Sequence, residues 1–361
     1  MKQHAKQQGV ALIIALVITT IAVSLASLAM YRQQLHIRLT GNISNLEQAY
    51  EYAVGMEDWS KKILEKDYKD NPKVDSLQED WAFELPPIPI PGGSLKGQLF
   101  DLQGRINLNS LIAHFPKIKP PKKSAGTSVG GGIPSAEKKP VFKTETLVYE
   151  QVVKLIQKID TEQALGPAEN FADTVKDWID TDDEERQGGA ESAYYQSQEH
   201  PYMSANSLLM SNSELLLLKG MNKELIEKLL PLISSLPKES KININTAEKE
   251  VLEALGFDQE TIKDIKSARD DAPFENMQEF WDLDKVKTLF APKTEMGKRK
   301  ANYQQILSNT SNYFLLQGQV NINNARIFIN SVLERKQGKV RVIMRDYSKP
   351  PITTTSSKAS E

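Results

Sequence analysis

From Val10 to Met30 the chain runs without a charge, a proline or a glycine. At a rise of about 1.5 Å per residue, a helix over this run is roughly 30 Å long, enough to cross a bilayer. Beyond Met30 the apolar positions thin out but keep their spacing. Leu35, Leu39, Ile43, Leu46, Tyr50, Ala53 and Val54 follow in steps of mostly three and four, which places them on one helical face. Gly41 and Gly55 each lower the local propensity by about 1 kcal/mol without breaking the helix. The first proline after the apolar run is Pro72. The pattern predicts one helix from about Val10 to about Glu65, its first half in lipid and its second half packed on a folded domain.

The period changes after Pro72. Pro86–Gly93 stops any helix and forces an extended passage and a turn. Leu95–Phe100 reads as a short half-buried strand, weakened by Gly97. In Asp101–Leu111, Gly104 suits a turn and Asn109 or Ser110 a helix cap. Pro116–Pro140, rich in Lys, Pro, Gly and Ser, reads as a solvated flexible loop. Helical spacing returns over Val141–Ile159, into Asp173–Asp180, and over Ser213–Leu218 and Lys223–Leu230. Lys241–Ala247 leads into helices over Glu248–Leu255, Gln259–Arg269 and Asn276–Trp281, with Asn245 or Thr246 as the first cap. Tyr313–Val320 and Val340–Arg345 read as strands, whereas Asn324–Lys336 is mixed apolar and basic. With Leu95–Phe100 these strands form an antiparallel sheet interrupted by helices.

The chain thus divides into a leader over 1–9, a transmembrane and amphipathic helix over 10–67, and the first part of a sheet domain over 68–115. A loop over 116–140 follows, then a helical insertion over 141–240 and a second helical unit over 241–309. Returning strands occupy 310–350, and a tail over 351–361 reads as disordered.

Composition narrows the chemistry. The 361 residues carry a formal net charge of −2 and no cysteine, so disulfides, thiolate catalysis and Cys-ligated metals are excluded. The four histidines are scattered, without the spacing of a zinc hydrolase. No nucleophile elbow, P-loop or dinucleotide fingerprint occurs, and no catalytic residue is assigned. The densest constellation is Asp177–Glu191, with seven carboxylates in fifteen residues and one Arg. Hard oxygen ligands in this number suit Ca²⁺. Asp180, Asp182, Glu184 and Glu191 stand at relative positions 1, 3, 5 and 12 of an EF-hand, but Glu185 replaces its required Gly. The segment therefore reads as an irregular Ca²⁺ loop, which Asn206 could close from the other side; an acidic solvated loop is the plain alternative. The Ile242–Ala247 unit resembles helix-hairpin-helix modules that grip DNA phosphates. Its hairpin, Leu255–Glu260, holds two acids that repel phosphate, so protein packing is favoured over DNA binding.

The N-terminus, a short basic leader ending at Gly9 before a retained apolar run, resembles the signal of type IV pilins and pseudopilins. A secretory signal peptide or a plain signal anchor is the alternative. Over nearly its whole length the chain resembles the minor pseudopilin K family of type II secretion systems. The residues that carry the likeness are Gly9–Ile14, Arg32–Leu35, Glu79–Trp81, Asp101–Asn109, Asp177–Asp182, Gly189–Glu191, Asn243–Ala247 and Ser311–Phe314. The resemblance implies an α+β fold: a pilin-like long N-terminal helix on an antiparallel sheet, with a large all-helical insertion of SAM-like or helix-hairpin-helix-like units and structural Ca²⁺. It implies cleavage by prepilin peptidase after Gly9 and N-methylation of Val10. It implies a single-pass inner-membrane protein with a periplasmic C-terminal domain that works with I- and J-type minor pseudopilins and the inner-membrane secretion platform. No nucleic-acid partner and no catalytic turnover are expected. Most relatives of this class carry Glu at the fifth mature position; here it is Ile14, the K-type pattern of a tip subunit. A signal-anchored DNA-uptake protein is the rival reading.

Overall fold

A computed structural model of the chain describes residues 8–84, 86–112, 144–162, 165–237 and 240–349. Residues 1–7 of the leader, the expected loop over 116–140 and the tail over 351–361 lie outside them. The long helix, α1, spans Gln8–Asp70, about 95 Å at helical rise. Every residue from Val10 to Ser44 is exposed. The buried face starts at Ala49 and continues through Ala53, Met56 and Leu64.

That face lies on a five-stranded antiparallel sheet of order β1-β2-β7-β8-β9. Its first strands are β1 (Ile88–Ile90) and β2 (Gly93–Asp101). The insertion follows, as β3 (Ile106–Asn107), α2 (Thr144–Ile159), α3 (Ala168–Ile179), α4 (Ser192–Gln196), α5 (Lys223–Leu229), β4 (Ile233–Ser234), β5 (Ile242–Asn243), α6 (Lys249–Ala254), α7 (Gln259–Asp271), α8 (Met277–Asp282), α9 (Asp284–Leu289), α10 (Glu295–Lys298), α11 (Lys300–Ile306) and β6 (Leu307–Ser308). The chain then returns to the sheet as β7 (Tyr313–Ile322), β8 (Ala325–Lys336) and β9 (Lys339–Asp346). Strands β2 and β7 are hydrogen-bonded neighbours from Gly93↔Ile322 to Asp101↔Phe314. The insertion therefore leaves and re-enters at one end of the sheet, between paired strands.

Each part has its own core. Leu99, Phe314, Leu316, Ile329 and Leu333 of the sheet close on Met56 and Leu64 of α1, with Trp81 set edge-on against Phe314 at 5.1 Å. Gly97 and Gly318, opposite each other in register, leave room for Met56: a Cβ on either would come within 2.6 Å of its sulfur. The two helical units share one apolar cluster, from Ile106 and Leu108 through Val175 and Leu252 to Leu307.

Several local readings need correction. The expected cap at Asn109 or Ser110 is Asn107, whose side chain accepts from the Asn109 amide and caps a 3-10 turn over Leu108–Leu111. Asn245 and Thr246 do not cap α6; Glu248 occupies that position without a side-chain bond. Asn245 instead pairs with both backbone groups of Phe274. Ser213–Leu218 is a 3-10 turn over Asn212–Leu217, held by a Ser211–Glu214 capping box. Asn324–Lys336 contains the longest strand, β8.

Thr246 is drawn away by the joint between sheet and insertion. Asp101, buried, accepts from Thr246 Oγ1 at 2.5 Å, Ser311 Oγ at 2.6 Å, Asn243 Nδ2 at 3.1 Å and the Gln103 amide at 2.7 Å. Gln103 in turn binds the Lys241 carbonyl and the Asn312 amide. Three strings distant in sequence, Asp101–Asn109, Asn243–Ala247 and Ser311–Phe314, thus meet in one satisfied polar network, the arrangement that makes a buried carboxylate tolerable. Beside it Arg335 ties β8 to the end of α1. It pairs with Asp67 at 2.9 Å and with Asp75, donates to the Ser311 carbonyl at 2.9 Å and stacks over Phe314 and Tyr68.

Candidate functional site

The acidic segment begins where α3 ends. Phe171, Val175, Trp178 and Ile179 anchor that helix in the insertion core, which fixes Asp177 in its last turn and Asp180 at its C-cap. Carboxylates at a helix C-terminus meet the negative end of its dipole and call for a cation. Arg186 supplies one charge, binding Asp177 at 2.5 Å and Asp180 at 2.8 Å. Gly189 lets the loop press against this pair: a Cβ there would lie 1.9 Å from Asp177 Oδ2.

Three of the predicted ligands converge. One carboxylate oxygen each from Asp180, Asp182 and Glu191 lies within 4.8 Å of the other two. Asp180 Oδ1 and Glu191 Oε1 are buried without a hydrogen-bond partner. Burial, followed by the charges of Asp177 and Asp180, pushes the Glu191 carboxyl up to about 7. Burial also raises Asp180, against the pull of Arg186. Crowded, underneutralised hard oxygens with unpartnered lone pairs are the donor set a divalent cation such as Ca²⁺ requires. Glu184 does not join them: its side chain is exposed, and its amide donates to Asp182 Oδ1 at 3.1 Å. Asn206 lies at the rim with a left-handed φ of 44°. Its Oδ1 accepts from Ser204 at 2.6 Å, and Ser204 reaches Glu191 at 3.4 Å. Sequence reading placed Asp177 and Arg186 in the acidic stretch without giving them a role, and missed Ser204. The single Arg among seven carboxylates was the available signal for the first pair; Ser204 had none.

A second carboxylate group, Asp67, Asp75 and Glu79, already has its cation in Arg335.

The raised Glu191 carboxyl gives a sign for pH dependence without metal. Between the ordinary value of 4.5 and about 7, the folded chain keeps a proton that the unfolded chain has lost. Stability therefore falls as pH rises through this window and levels off above it. Melting chelated wild type and Glu191→Gln from pH 4.5 to 8 isolates the effect, because other acids contribute equally to both. The wild-type curve should fall more steeply; parallel curves would refute the assignment.

At the other end of the molecule, Gly9 and Val10 lie in the first turn of α1. Val10 and Ile14 are both more than half exposed. The most apolar window of this helix has a mean hydropathy of 2.6 and no residue buried within the chain.

A membrane-length helix continuing into a helix-on-sheet domain, with helices spliced between two paired strands, defines a pilin-like anchored protein with an inserted domain. Two family profiles described as type II secretion system protein K match residues 104–238 and 242–297. Type II secretion system protein K of Aeromonas hydrophila is 30% identical over 347 residues, covering 94% of this chain and 96% of the relative. That of Pseudomonas aeruginosa is 29% identical over 349 residues, covering 94% and 92%. A chain in the crystal structure of the GspK-GspI-GspJ complex of enterotoxigenic Escherichia coli superimposes with a TM-score of 0.67 at 25% identity, covering 86% of this chain and 99% of that one. The chain belongs to the type II secretion system protein K family.

Proposed function

We propose that this protein is a minor pseudopilin that caps the tip of the periplasmic pseudopilus in type II secretion, in complex with I- and J-type minor pseudopilins. The observation that carries this reading is the first part of α1. From Val10 to Ser44 every residue is exposed, so its apolar surface is available first to the inner membrane and then to neighbouring subunits. The solved complex of GspK with GspI and GspJ supports the choice of partners. Ile14 supports the tip position: it offers no carboxylate to the amine of a subunit above, a charge that would be costly in lipid unless paired. The inserted helical domain supports it too, as bulk that would obstruct such a neighbour. The role is mechanical, with no turnover.

In this reading prepilin peptidase cuts after Gly9 and Val10 becomes the methylated N-terminus. The secretion platform of the inner membrane receives the chain, and Ca²⁺ held by Asp180, Asp182 and Glu191, with Asn206 at the rim, stiffens the insertion. The bound ion supplies charge neutralisation; Asp177 and Arg186 orient Asp180 for it. The DNA-uptake alternative is disfavoured because Asp258 caps α7, accepting from the Thr261 amide at 2.7 Å. Its carboxylate occupies the amide groups that a phosphate would need.

Co-expression of the full chain with I- and J-type subunits, followed by detergent extraction and size-exclusion chromatography, tests the proposal. One peak containing all three is expected; separate elution with every subunit folded would sink it. Mass mapping of the mature N-terminus should find methylated Val10, and an intact Met1 beside an active peptidase would count against the processing.

A further inference from the structure

The end of the apolar run carries a charge pattern that its own chain does not answer. Val10–Met30 is uncharged, and at helical rise Arg32 lies about 33 Å along α1 from Val10. That is roughly the thickness of a bilayer's hydrocarbon core, so Arg32 comes level with the headgroup phosphates once the run is in lipid. Tyr31, 61% exposed, precedes it, and Tyr is enriched at that depth. His36 and Arg38 follow within two turns, and every residue from Tyr31 to Arg38 is exposed. At 100° per residue, Tyr31, Arg32, Leu35, His36 and Arg38 fall within an arc of about 160°. The arginines reach no carboxylate of their own helix: the first acid in the chain is Glu47, about 13 Å beyond Arg38.

We propose that this face binds an anionic glycerophospholipid in the headgroup layer at the C-terminal end of the apolar run, a step that rests on α1 being inserted in the membrane. The Arg32 guanidinium fork matches two phosphate oxygens. Arg38 stands about 9 Å further along, but helical side chains lean toward the N-terminus, and its long stem reaches back to the same layer. His36 adds a ring N–H donor. Leu35, between the basic residues, and the apolar run below them offer the acyl chains a surface that a free phosphate could not use.

Native mass spectrometry of the detergent-solubilised full chain, offered equimolar dioleoylphosphatidylglycerol and dioleoylphosphatidylcholine, tests this. Wild type should retain the anionic lipid about fivefold or more over the zwitterionic one, the preference that one arginine near an anionic surface confers. Arg32→Gln with Arg38→Gln should lower that preference about fivefold or more, while total lipid uptake holds because the apolar run is untouched. Folding is not at risk, since both residues are exposed and the buried face of α1 starts at Ala49. An unchanged preference in the double variant would overturn the proposal and place the headgroup elsewhere. Equal uptake of both lipids by wild type would overturn it too; loss of co-elution with I- and J-type subunits in the double variant would then assign the arginines to a partner's carboxylates. Loss of the preference on adding inorganic phosphate would overturn the lipid in favour of the free anion. Flotation with phosphatidylcholine vesicles checks the insertion of α1 separately. A chain that floats without discriminating refutes the lipid site alone, whereas one that does not float refutes both.

Discussion

Arg335→Leu should destabilise the sheet domain by about 3–5 kcal/mol, the usual cost of removing one member of a buried ion pair. Arg335 is only 3% exposed, and it is held between the end of α1 and the segment before β1. Its loss strands Asp67 and Asp75 without a counter-charge and frees the Ser311 carbonyl. It also removes a planar cation from between the Phe314 and Tyr68 rings. At roughly 2–4 °C per kcal/mol for a domain of this size, the melting temperature should drop by roughly 6–20 °C. Arg335→Lys should recover little, because one ammonium cannot span two carboxylates and a carbonyl as a guanidinium fork does. Adding Asp75→Asn to Arg335→Leu should restore part of the loss, since much of the cost is the orphaned charge. A fall below about 1 kcal/mol in Arg335→Leu, the range of exposed pairs, would show that the pair is not buried in solution.

Chelation should produce the second large change. If Asp180, Asp182 and Glu191 hold Ca²⁺, adding the ion at a hundred times its dissociation constant stabilises the folded chain by about 2.7 kcal/mol. Removing it should lower the melting temperature by roughly 5–10 °C. Mg²⁺ should restore little, because it demands a tight octahedron that an irregular loop does not present. Asp180→Asn and Glu191→Gln should each abolish the response to chelator, whereas Glu184→Gln should keep it, since Glu184 stands outside the cluster. Affinity should also rise with pH, because the ion displaces the proton that burial holds on Glu191 up to about 7. Identical melting with and without chelator would make the segment plain acidic surface.

The long helix was legible because one unbroken pattern specifies it: the expected span from Val10 to Glu65 became Gln8–Asp70. Strands β2, β7 and β9 were legible for the same reason. Strand β8 was not, because Asn330, Ser331, Glu334 and Arg335 sit in it as buried polar residues. Their partners come from far along the chain: Glu57 and Asp67 on α1, and Tyr313 on β7. No window of local sequence contains those pairs, so the segment read only as mixed apolar and basic. In the acidic loop the 1, 3 and 12 spacing found the three converging carboxylates, and position 5 stands apart from them. Glu184 turns outward where its own amide binds Asp182. The misplaced caps have one cause: Thr246 and Asn245 serve long-range partners, Asp101 and Phe274, in preference to the helix beside them.

The nine-residue pairing of β2 with β7 has a mechanical meaning. A push or pull along α1 enters the sheet through β7 and β8, against which the helix packs, and crosses between strands by shear on their hydrogen bonds. Although the covalent path from β2 to β7 runs through the whole insertion, the strand pairing short-circuits it. The inserted domain is carried as cargo at the end of the beam and is not a link in it. Its length and its loops can therefore vary without changing how the shaft bears load.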